Sequence, residues 1–254
     1  MCPCAETLLS KLSQRHGRLF LKTASVSLAL LVISFAALGQ KRNGRSGATP
    51  SPPPPASEQT KGNSDPTRYT YEFTQRQFVI SHVQIEHDAV GRGKMSFERK
   101  GEETPIVEPI ELSTTALARI FRLWSELGFL DSNENYQASK NFAHLGTYKL
   151  GMDDTRRKRT AEFNWSTNSD AWNLAQEYRR IADQAIFIFD ITVARENQPL
   201  NTPGLLNQLE SLYSRNALSD PKQLVPLLKE LRTDEHIPLI ARNHADRLLK
   251  KIEK

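Results

Sequence analysis

One uncharged apolar run, Ala24 to Leu38, limits this chain more than any other feature. It reads ASVSLALLVISFAAL and is preceded by Lys11, Arg15, Arg18 and Lys22. Ala37-Leu38-Gly39 then puts small residues where signal peptidase cuts. A spanning helix needs roughly 20 apolar residues, so the run is short for one. Lys41, Arg42 and Arg45 follow it, and charge asymmetry gives little orientation bias. Residues 1–39 are therefore expected to be a signal peptide or an N-terminal membrane anchor. The body is then exported, either soluble after cleavage near Gly39 or held on the inner membrane through residues 24–38. A polytopic membrane protein is excluded, and so are coiled coil and collagen, since neither heptads nor Gly-X-Y repeats are sustained.

The targeting segment also changes the meaning of charge. The chain carries +5 and has a pI near 9.2. Residues 1–39 hold four Lys+Arg and one Glu, which leaves 30 basic against 28 acidic residues elsewhere. The body is nearly neutral, and nucleic acid is not an expected partner. The two cysteines, Cys2 and Cys4, precede the apolar run. Two ligands are too few for a zinc site, and they read as part of an incidental tail. Beyond them the chain has no cysteine, so its stability rests on packing without disulfides.

Residues 40–67 are poor in apolar side chains and centre on Thr49-Pro50-Ser51-Pro52-Pro53-Pro54-Pro55. Such a segment buries too little surface to offset ordering entropy and is expected to be a Pro-rich linker. Residues 68–196 alternate between strand and helix patterns. Phe78 to Ile85 and Lys94 to Arg99 flank Gly91-Arg92-Gly93 as a hairpin, and Ile110 and Leu112 add a short strand. Ser113 is a good N-cap for a helix through Leu117, Ile120, Phe121, Trp124 and Leu127, with Gly128 closing it. Thr147 to Met152 and Arg157 to Trp165 form a second hairpin about Asp153-Asp154-Thr155. A helix from Asn168, Ser169 or Asp170 follows, through Trp172, Ala175, Tyr178 and Ile181. The expected fold class is α+β: two hairpin–helix units forming an antiparallel sheet with helices on one face. Residues 186–193 (IFIFDITV) fit either a strand or the buried end of a helix.

Residues 197–254 read as a helical tail. Thr202-Pro203 and Asp220-Pro221 are start signals, and Pro238 opens a third helix. Leu224-Val225-Pro226-Leu227-Leu228 followed by Ala245-Asp246-Arg247-Leu248-Leu249 resembles a single HEAT-type helical pair. One such pair cannot stack into a solenoid, so a three-helix cap is expected.

The chain has no Gly-rich phosphate loop, no Gly-x-Ser-x-Gly elbow and no His-Glu-x-x-His helix. His82 and His87 share a strand five residues apart, so they face opposite sides and cannot share one metal. His87 reads as a surface histidine of the hairpin. Asp131 to Asn135 begins like a calcium loop but has Tyr136 and Phe142 where Gly and Glu are required. Asp153-Asp154 sits at a hairpin tip, a wet place in which to tune a carboxylate. Arg156, Arg157, Lys158 and Arg159 are the densest charge run in the body and the candidate binding surface. Alternation puts Arg157 and Arg159 on the face of Ala161, on an edge strand. Asn164-Trp165-Ser166 matches a glycosylation sequon, which matters only in a eukaryotic secretory pathway.

The expected function is that of an exported, bacterial-type envelope protein: a non-enzymatic binding or scaffold domain without cofactor or metal. Its expected partner is a protein or an anionic envelope surface. The alternatives are an exported hydrolase or metal-dependent enzyme with a scattered site (His82, His87 or His144 with Asp153 or Asp154) and an inhibitor or regulator of a periplasmic enzyme.

Overall fold

The computed structural model describes residues 67–254, all within one compact unit, Glu58–Lys254. The apolar run, Cys2, Cys4 and the proline run lie outside the described residues.

Six strands form one antiparallel sheet: β1 (Arg68–Thr74), β2 (Ile80–His87), β3 (Arg92–Arg99), β4 (Ile106–Glu111), β5 (Thr147–Asp153) and β6 (Lys158–Phe163). Their spatial order is β4-β3-β2-β1-β5-β6. Five helices complete an α+β fold: α1 (Thr114–Glu126), α2 (Ser169–Asn197), α3 (Thr202–Ser214), α4 (Val225–Leu231) and α5 (Leu239–Ile252). Four strands precede α1, more than the two or three that hydrophobic alternation marks out. The added strand is β1, which pairs with both β2 and β5 and so joins the two hairpins.

Each strand sorts its side chains by the two-residue period of the pleat. In β1, Tyr69, Tyr71 and Phe73 are buried, beside Ile85 and Val83 of β2 and Leu150 and Tyr148 of β5. The opposite face is polar and carries cross-strand ion pairs, among them Glu72–Lys149, Glu86–Arg68 and Glu86–Lys94. The β2–β3 turn is closed by Asp88, whose Oδ1 accepts from the Val90 and Arg92 amides at 3.0 and 2.9 Å. Gly93, within β3, is required by close approach, since a Cβ there would stand 1.8 Å from the Glu86 carbonyl oxygen.

The Ser113 Oγ accepts from the Ala116 amide at 3.1 Å and starts α1. It buries Ala116, Ile120, Leu123 and Trp124 against the sheet and α2. The Asn168 side chain caps α2 through the Asp170 and Ala171 amides. This helix runs unbroken for 29 residues and includes 186–193. Those residues are helical because they serve two cores at helical spacing. Ile186 packs with the sheet-side core, while Phe187 and Ile191 pack with the tail. Phe189 joins Ile186 on the sheet-side core at i and i+3, whereas a strand would put it on the face of Phe187 and Ile191.

The tail has its own core, built of Leu206, Leu209, Leu224, Leu228, Leu231, Ala241, Ala245 and Leu248 around Phe187 and Ile191. Two start signals act differently from expectation. The Thr202 hydroxyl caps nothing and instead donates to the Pro199 carbonyl at 2.7 Å. Asp220 accepts from the Lys222 amide at 3.1 Å and caps a short 3₁₀ turn that leads into α4. Among the described residues no helix is long and apolar enough to cross a membrane.

Candidate binding trough and buried polar networks

Sequence spacing treats His87 as a surface histidine; in the fold it is fully buried. The hairpin turn begins only after it, so His87 still points to the helix side of the sheet, stacked on Tyr69 at 5.2 Å. Its Nδ1 lies 2.7 Å from the Asp88 carbonyl oxygen, and its Nε2 lies 2.7 Å from the Tyr178 Oη. A carbonyl only accepts, so Nδ1 carries the proton and Nε2 accepts from Tyr178. The Trp124 indole N–H then donates to Tyr178 Oη at 3.1 Å. Every polar atom of this chain of groups is paired. Burial lowers the His87 pKa and raises that of Tyr178, which keeps both neutral.

His82 lies on the opposite, solvent face as its spacing requires, between Glu72 at 3.3 Å and Glu98 at 3.5 Å. His144 is exposed on a 3₁₀ turn, and Asp153 and Asp154 stand at the β5–β6 tip. The fold does not gather these groups into one site. Among the described residues no cluster of three or more His, Cys, Asp or Glu is arranged to hold a metal ion. Asp154 serves the turn, its Oδ1 accepting from the Arg156 and Arg157 amides.

The run Arg156–Arg159 divides into two kinds of residue. Arg159 lies on the Ala161 side of edge strand β6, where it donates to the Phe129 and Glu134 carbonyls at 2.6 Å and lies over the Phe129 and Tyr136 rings. It pins the loop after α1 to the sheet edge. Arg157 pairs with Asp131 and Asp154 and stands just before β6. Of the four, only Arg156 is without a partner among the described residues, and Lys158 has a single long ion pair, with Asp153 at 3.6 Å.

A third polar cluster ties α1, α2 and the tail. Glu177 is buried, and its Oε1 accepts from Arg119 Nε and Nη2 at 3.0 and 2.9 Å and from the Ser219 hydroxyl at 2.6 Å. Its Oε2 faces Arg180 at 3.2 Å.

Two concave features flank α2 on its β4 side. One cavity of about 520 Å³ is lined by Met95, Ile110, Leu112, Ala116, Ile188 and Phe189, with Glu108, Gln184 and Gln223 among its polar atoms. A second, of about 790 Å³, is bounded by Ile106, Leu200, Leu205, Arg99, Asp190 and Glu102. Both include Phe189 and Val193, so they adjoin, and the pair makes up a trough between the edge strand and the helices. Strand register places Ile106, Glu108 and Ile110 on the helix side, opposite Phe97, Met95 and Gly93. Being an edge strand, β4 is only partly covered there. Ile188, Val193 and Leu200 stay exposed. Exposed Glu102 and Glu111 and half-buried Glu108 line it, and of the three only Glu111 has an ion partner among the described residues, Arg92 at 3.5 Å. The one cation lining it, Arg99, is paired with Asp190. An apolar floor with unpaired acids fits a basic amphipathic ligand. The visible signal for its acids is the Glu-rich sequence around β4, where hydrophobic spacing marks only a short strand.

No family model matches this chain, and no curated protein matches it.

Proposed function

We propose that this chain is an exported or membrane-anchored binding protein whose body holds a basic amphipathic protein segment in the trough between β4 and α2. The observation that carries this reading is the combination of exposed Ile188, Val193 and Leu200 with unpaired Glu102 and Glu108 along two adjoining cavities. An amphipathic helix lays its apolar face into such a groove and keeps its charges at the rim. The chemistry-bearing side chains sequence reasoning would use for a hydrolase lie on different faces, which favours binding over catalysis. The Pro-rich residues 40–67 would serve as a spacer between the binding body and the targeting segment.

A second reading rests on the β5–β6 tip. Arg156 and Lys158 would give weak, salt-sensitive docking on an anionic envelope surface, at roughly 1 kcal/mol per cation near such a surface. Arg157 and Arg159 add little, because their guanidinium groups already have partners.

Location is tested by fractionating the native host and weighing the intact protein. The expected species is outside the cytoplasm, either beginning at Gln40 and soluble or full-length and membrane-bound. A full-length cytosolic species contradicts export.

A further inference from the structure

Where α1, α2 and the turn after α3 meet, a cavity of about 300 Å³ is lined by two guanidinium groups, Arg119 and Arg180, and one acid, Glu177. Glu177 is 3% exposed and is held by both arginines. Arg119 donates to its Oε1 through Nε and Nη2, and Arg180 Nη2 faces its Oε2 at 3.2 Å. Arg119 Nη2 also donates to the Ser219 carbonyl and hydroxyl oxygens. These contacts do not use up the donors. Arg119 Nη1 has no acceptor among the described residues. Arg180 has no partner there beyond Glu177, and its Nε is buried and unpaired. Asn216, at φ +53° in the turn, lines the same cavity with its side-chain amide unpaired among the described residues. Asp220 follows the lining residue Ser219 but does not line the cavity, and its Oδ1 accepts from the Lys222 amide.

Two guanidinium groups against one carboxylate leave the lining with an excess of one positive charge. A buried acid that holds both groups fixes them in place before any ligand arrives, and a guanidinium edge matches the oxygens of a carboxylate or phosphate. Tyr213, Leu218 and Pro221 supply the apolar part of the wall. We infer that this cavity is a binding site for a small oxyanion, a carboxylate or phosphate group that accepts from Arg119 and Arg180 while its body packs against Tyr213 and Leu218. A cation of the same shape meets the excess charge with like sign. The arginines come from α1 and α2 and the apolar wall from the tail, so an occupant also fastens the tail to the body. The site shares only Ser219 with the trough, whose unpaired charges are acidic, and it does not depend on that reading.

The test is calorimetric titration of the full-length chain, at fixed ionic strength, with benzoate, inorganic phosphate and benzylammonium. At least one of the two oxyanions is expected to bind at millimolar concentration or below, and benzylammonium is expected not to bind. Which oxyanion binds more tightly separates a carboxylate ligand from a phosphate. Arg180→Gln is expected to weaken the oxyanion at least about 10-fold, the ratio that one charge-assisted hydrogen bond supplies. Glu177 keeps Arg119 and Ser219 as partners in that variant. Arg156→Gln removes the same charge from the β5–β6 tip and is expected to leave affinity unchanged. A readout in the unaltered chain covers the case of a variant that does not fold: the Arg180 Nε–H resonance is expected to shift as oxyanion is added, and that of Arg156 to stay. Three results overturn the inference: no oxyanion binding at millimolar concentration, an affinity that responds equally to Arg180→Gln and Arg156→Gln, or an Arg180 resonance that does not move.

Discussion

Replacing Tyr178 by phenylalanine is expected to lower stability by about 2–4 kcal/mol, and replacing it by alanine by about 5 kcal/mol or more. The first change keeps the ring and removes one oxygen. That oxygen is shared by His87 Nε2 and the Trp124 indole N–H, so two buried groups lose their partner at once. The second change also empties the space of a fully buried ring stacked on Tyr71. Against a typical total of about 5–15 kcal/mol, the alanine variant is expected to be partly unfolded at room temperature. The pH dependence carries an independent sign. Burial depresses the folded-state pKa of His87, so the unfolded chain takes up the proton first as pH falls. Its stabilising contribution is complete above the ordinary histidine pKa of about 6.5 and is lost as pH falls below it. Imidazole ¹⁵N shifts are expected to show a neutral, Nδ1-protonated His87 below pH 6.5. A His87 that titrates at the ordinary histidine pKa of about 6.5, or a Tyr178→Phe cost under about 1 kcal/mol, would remove the network from the account.

Ile191→Ala is expected to cost about 2–5 kcal/mol, as large-to-small changes at buried sites do. Ile191 is fully buried in the tail core and sits on the same helix that covers the sheet. The tail is therefore expected to melt with the body in one transition, with the midpoint lowered by about 2–4 °C per kcal/mol for a chain of this size. Arg195 strengthens this expectation, because it bridges α2 to Glu230 and Asp234 at 3.0 and 2.9 Å. A thermal scan followed both by near-ultraviolet dichroism and by exchange of tail amides checks it. Two separated transitions in the unaltered protein would mean that the tail is an independent cap.

Much of the fold is legible in the sequence because local chemistry agrees with tertiary need. Ser113 and Asn168 cap the helices they precede, and Gly128 ends the first in the left-handed region at φ +50°. The β2–β3 and β5–β6 hairpins appear where alternation places them. β1 escapes because its flanking linker is polar and its alternation, Tyr69, Tyr71, Phe73, has no hairpin turn to announce it. Its role is set by long-range pairing, which no local spacing records. The 186–193 segment is ambiguous for a related reason: it is apolar on two sides because two cores meet there. His87 is misplaced by a shift of the hairpin's start, since the turn lies at Asp88–Gly91 and leaves His87 on the last inward position of β2.

The sites were less legible than the fold. The Arg156–Arg159 run is visible as charge, but the aromatic loop that occupies Arg159 lies 23–30 residues away in sequence. Apart from the acids around β4, the trough is invisible in any single segment. It takes Glu108 on an inward-facing edge position, Ile188 and Val193 on the far half of α2, and Leu200 beyond its end, all brought together by packing.

The most direct test of the trough is fluorescence anisotropy with a labelled Leu/Lys amphipathic helical peptide. The unaltered protein is expected to bind it with micromolar affinity that weakens as salt rises. Ile188→Asp and Val193→Asp, both at exposed positions that the fold tolerates, are expected to weaken binding at least about 10-fold, a loss of roughly 1.4 kcal/mol. Glu108→Lys is expected to act in the same direction. Leu239→Asp, at a still more exposed apolar position on α5, is expected to change nothing. If the trough variants bind the peptide as tightly as the unaltered chain, the trough is not the binding site.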